Sequence, residues 1–80
     1  MTRSEVQVRL TGVFRDVFQS PELELWDAMA ARDVPGWDSM NNVRLILSVE
    51  AEFACKFTLR EIGKQQNVGE LMDLIIKKTT

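Results

Sequence analysis

Eighty residues, 45% of them apolar and 28% charged, make one small globular domain spanning 1–80, near the size at which a single core is barely sufficient. A formal charge of −2 and a pI near 5.0 argue against nucleic acid as a partner. Histidine is absent and Cys55 is the only cysteine, which removes Ser-His and Cys-His nucleophilic pairs, an intramolecular disulfide and a cysteine-based metal site, so neither catalytic residues nor a metal are expected.

Thr2-Arg3-Ser4-Glu5 has the hydroxyl-to-glutamate spacing of a capping box. After it, Val6, Leu10, Val13, Phe14, Val17 and Phe18 recur at helical spacing, which predicts a first helix ending near Gln19, ahead of Ser20-Pro21. Gly12 weakens the middle of that helix, and a close neighbour would explain its presence. Residues 20 to 38 then form a long connection of the kind that often carries function. Leu25 and Trp26 are expected to pin it onto the bundle, and the Asp27-to-Arg32 part has room for a short helical turn.

Pro35-Gly36 is a turn signal, because proline presets φ at the first central position and glycine supplies a positive φ at the second. From Asp38 to Phe53 no helix breaker occurs, so Asp38 or Ser39 is the N-cap of a second helix running to about Phe53. That arrangement sets the Ser39 hydroxyl at the positive end of a helix, a position suited to a phosphate ester. Trp37 either packs or shapes the entrance to the serine. Along this helix Leu45, Ile46, Val49 and Phe53 form a core stripe, while Met40, Val43 and Leu47 form a second one on another side. Two stripes mean a helix held between neighbours, or one offering a surface to something that comes and goes.

Thr58-Leu59-Arg60-Glu61 repeats the capping spacing and opens a brief third helix that Gly63 is expected to end, with Ile62 pointing inward. Asn67 caps a fourth helix carrying Val68, Leu71, Met72, Ile75 and Ile76, with Lys77 and Lys78 at its C-terminal end. The fold class is therefore all-α: a small four-helix bundle of three main helices and one short helix, with a long loop after the first. No apolar run has the length of a membrane span and the N-terminus lacks a signal-peptide segment, so a cytoplasmic monomer is expected.

With these elements placed, the chain resembles the acyl carrier protein family over nearly its whole length. Asp38-Ser39-Met40 looks like the family's Asp-Ser-Leu attachment motif with methionine in place of leucine. The run through Val43, Leu45-Ile46, Val49-Glu50 and Glu52-Phe53 is similar to the family's second helix, and the spacing from Phe53 through Ile62 to Val68 is also kept. The resemblance implies that a phosphopantetheinyl transferase joins 4′-phosphopantetheine from coenzyme A to Ser39, with Asp38 helping to order the transferase's Mg²⁺. The arm's thiol, not Cys55, would then hold acyl intermediates as thioesters for delivery to acyl-transferring enzymes.

The resemblance further implies that Met40, Val43 and Leu47 greet those enzymes or line a channel for the chain, and that Glu50 and Glu52 supply acidic contacts. This sequence departs from the family's acidic pattern at Asn41 and Asn42, and at Arg44, where the family often has a glutamate. A reversed charge on a docking face changes partner choice, pointing to a specialised acyl or secondary-metabolite pathway with its own loading ligase. The Pro-Gly-Trp-Asp-Ser run is also similar to aminoacyl and peptidyl carriers loaded by adenylating enzymes, so both cargo classes stay open. From a different class, a non-catalytic helical interaction module would use the Met40/Val43/Leu47 stripe permanently and leave Ser39 as a plain N-cap.

Overall fold

The computed structural model describes residues Met1 to Thr80. Its helices are α1 (Arg3–Val17), α2 (Ser39–Phe53), α3 (Leu59–Lys64) and α4 (Val68–Thr79), with one 3₁₀ turn, Ala31–Asp33, in the long loop. Each helix begins at a side chain able to cap it. The oxygens of Thr2, Asp38, Thr58 and Asn67 accept from the N–H groups of Glu5, Asn41, Glu61 and Glu70, satisfying donors that a helix leaves free. At Thr2 and Thr58 the glutamate closes the box by accepting from the cap's own N–H, at 2.8 Å in both cases.

The helix ends were harder to foresee. α1 stops at Val17 rather than near Gln19, because Gln19 turns left-handed at φ 52° and Ser20 N–H donates back to the Arg15 carbonyl at 3.0 Å. α2 closes in the same way: Ala54 takes φ 52° and Cys55 N–H donates to the Glu50 carbonyl at 3.2 Å. Both are Schellman-type closures without the usual glycine. Gly63, expected to stop α3, lies inside it, and the helix runs on to Lys64.

Val6, Leu10 and Phe14 of α1, Leu45, Val49 and Phe53 of α2, and Val68, Leu71, Met72 and Ile75 of α4 share one hydrophobic core with Met29 and Val34 of the loop. No polar or charged residue is buried in it. The loop is held by Leu25 and Met29, whereas Trp26 is 49% exposed and pins nothing. Gly12 also departs from expectation: a methyl there would meet nothing within 4 Å, so no close neighbour explains it. The close approach is at Gly69 instead. A Cβ at Gly69 would sit 3.0 Å from the Asp27 carbonyl oxygen, the group to which its N–H donates at 2.9 Å. Val68 N–H donates to the Met29 carbonyl at 2.8 Å, so the first turn of α4 is docked onto the loop backbone.

Polar side chains tie the elements together at the surface. Arg3 joins the start of α1 to Asp27 in the loop and Asp73 in α4, while Arg9 bridges to Glu52 at 2.7 Å and lies over the Phe53 ring. Lys78 reaches Glu61 at 2.7 Å, fixing α3 against α4. None of the helices is long and apolar enough to cross a membrane.

Candidate functional site

The loop meets α2 through a turn and a small hydrogen-bonded lock. Trp37 N–H donates to the Val34 carbonyl at 3.1 Å, closing a turn in which Gly36 takes φ 87°, a conformation other residues adopt only with strain. The Trp37 ring stands edge-on to Phe14, centroids 5.3 Å apart, and packs on Phe18 at 5.8 Å. Its indole N–H donates to Asn42 Oδ1 at 2.9 Å, and the Asn41 amide donates to the Gly36 carbonyl at 2.7 Å. Asn41 and Asn42 thus bind the loop to the first turn of α2, a role their sequence context did not disclose. Trp37 packs on α1 and also lines the space beside Ser39, so its two alternative roles coexist.

Ser39 is the first residue of α2 and is exposed. The cap is Asp38, whose Oδ1 accepts from Asn41 N–H at 2.9 Å, leaving the Ser39 hydroxyl without a hydrogen bond inside the chain. The amides of Ser39 and Met40 have no protein acceptor either, so a hydroxyl and two free N–H groups share the positive end of the helix. Beside them opens a cavity of about 390 Å³ between α2, α3 and the loop. Trp37, Ile46, Ile62 and Leu71 give it apolar walls; Asn42 and Gln65 add polar ones. Ile62, expected to point inward, is half-buried and lines this space rather than the core. Gln65 donates to the Glu61 carbonyl at 3.0 Å, while its Oε1 is shielded from solvent and has no donor.

The second apolar stripe of α2 is not core. Met40 is 76% exposed, and Val43 and Leu47 are each 59% exposed. Arg44 lies on the same outer side, and its only partner is the neutral Asn41 Oδ1 at 3.3 Å. The two glutamates are placed otherwise. The Glu50 side chain is only 11% exposed and accepts from Phe57 N–H at 2.8 Å, clamping the connection into α3. Glu52 turns towards α1 and pairs with Arg9. Cys55 is half-buried, and burial, with Glu50 nearby, pushes its thiol above the ordinary range.

A solution NMR structure of a holo acyl carrier protein from Geobacter metallireducens superposes with a TM-score of 0.86 at 40% identity, covering 91% of this chain and 84% of that one. The chain belongs to the acyl carrier protein family. No family profile matches the sequence, and no curated protein matches it. The all-helical bundle of four helices is the acyl carrier protein fold.

Proposed function

We propose that Ser39 is the point at which this acyl carrier protein receives its 4′-phosphopantetheine arm, and that residues 1–80 act as one non-catalytic carrier domain. The observation that carries the proposal is the division of labour at the start of α2: Asp38 does the capping, so the exposed Ser39 hydroxyl has no structural task. The fit to the group is physical. A phosphodiester on Ser39 Oγ is an anion beside two unpartnered backbone N–H groups at a helix N-terminus. When bound, the arm supplies a thiol that holds acyl cargo as a thioester.

Attachment replaces the serine O–H bond with an O–P bond, as the pyrophosphate link of coenzyme A breaks and its adenosine bisphosphate half leaves. The phosphopantetheinyl transferase needs access to the serine, which exposure provides. The second carboxylate oxygen of Asp38 has no partner in the chain and is available to the transferase's Mg²⁺. The raised thiol of Cys55 keeps it protonated at neutral pH, making it a poor competitor for acyl groups.

The cargo is an acyl chain or an aminoacyl group, and the half-polar cavity beside Ser39 has room for part of either. The pathway is a specialised one with its own loading ligase, a reading supported by the structural use of Asn41 and Asn42 and by the cation at Arg44. A permanent helical interaction module would leave Ser39 as a plain N-cap; Asp38 holds the cap instead, which favours the carrier reading.

Intact mass after incubation with coenzyme A and a broad-specificity transferase tests the proposal. The wild-type chain is expected to gain one phosphopantetheinyl group, and Ser39→Ala none. An unchanged wild-type mass, or a gain that survives Ser39→Ala, overturns it.

A further inference from the structure

The outer side of α2 differs in charge from the chain as a whole. The chain as a whole carries −2, yet Met40, Val43, Arg44 and Leu47 stand exposed together with no free carboxylate among them. Glu50 is folded inward onto Phe57 N–H. Glu52 is drawn aside by Arg9, and Asp38, at the far end, has one oxygen committed to Asn41 N–H. What remains is an apolar surface with a single cation whose only partner is neutral.

We propose that this surface docks on a protein whose apolar cleft is rimmed by carboxylates, one of which pairs with Arg44. The proposal rests on the carrier reading only in supplying a reason for transient docking; the chemistry of the partner follows from the surface itself. A basic rim would set a like charge against Arg44, a penalised arrangement. A carboxylate rim supplies the missing partner, and Met40 and Leu47 fill the cleft between.

The test uses the full ¹⁵N-labelled chain and two synthetic amphipathic helical peptides with the same leucine and phenylalanine stripe, one flanked by glutamates and one by lysines. Amide shifts at Met40, Val43, Arg44 and Leu47 should saturate with the glutamate peptide, which is expected to bind about tenfold more tightly than the lysine peptide at low salt. Arg44→Glu should reverse that order, and Met40→Ser with Leu47→Ser should abolish both. Equal binding, preference for the lysine peptide, shifts on another side of the molecule, absence of saturable binding or shifts from self-association alone would each overturn the inference. Mass gain at Ser39 is measured on the same samples. A chain that gains the arm but shows no peptide preference refutes the docking inference alone; one that keeps the preference but gains no arm refutes the carrier reading alone.

Discussion

Along the flank that faces α1, Val49 and Phe53 join Leu10 and Phe14 in a core that buries no polar residue. Along the flank that faces α3, Asn42 and Ile46 instead border a cavity of about 390 Å³, shared with Ile62 and Gln65. One helix therefore has a side with a single way of packing and a side with space left over. Close packing penalises any change of volume, whereas a wall that already faces space loses little when trimmed. The first side fixes where Ser39 stands; the second is where the bundle has room for a guest.

The largest effect that would break this contrast is expected at Phe14, which is fully buried and supports the edge of Trp37. Phe14→Ala should cost about 3–5 kcal/mol in urea unfolding. A cost under about 1 kcal/mol would show the α1 flank to be as loose as the other. Gly69→Ala comes next, at about 1–3 kcal/mol, because its methyl would press on the backbone carbonyl of Asp27, which cannot swing away as a side-chain tip does. Retention of full stability would mean that the loop yields there. On the cavity side, Ile62→Ala should cost only about 1 kcal/mol, since Ile62 is half-buried and leaves little that was filled. A loss as large as that at Phe14 would erase the distinction.

The smallest effect concerns α3's tether and is read through pH. The hydrogen bond from Lys78, followed by the Thr58 backbone N–H, holds the Glu61 carboxyl below its ordinary value. A carboxyl whose pKa is lower in the folded state adds stability above its unfolded pKa and loses it as pH falls through the folded one. The stability gap between wild type and Glu61→Gln should therefore be present at neutral pH and close on acidification below the usual glutamate range. A gap independent of pH would mean that Lys78 contributes nothing through charge.

Helix starts are legible in the sequence because capping is local chemistry: Thr2, Thr58 and Asn67 announce themselves within four residues, and α2 runs close to its expected span, with Asp38 rather than Ser39 as the cap. Helix ends are not, since Gln19 and Ala54 adopt a left-handed backbone that neither side chain advertises. The two apolar stripes of α2 could be counted in the sequence, but only packing shows which one is covered. Glu50 illustrates the limit best. Its place on the helix suggested a surface acid, and the chain reversal at Ala54 brought Phe57 N–H within its reach. Trp26 and Gly12 misled for a related reason, because tertiary neighbours, or their lack, decide what a tryptophan or glycine does. The indole-to-Asn42 and Asn41-to-Gly36 bonds were equally hidden, as each needs the Gly36 turn before the partners meet.

That pair of asparagine bonds has a mechanical corollary. With the turn riveted to the first coil of α2 and Trp37 wedged on α1, Ser39 is a fixed pivot rather than a hinge. Any group hung from it must find all its reach in its own rotatable bonds.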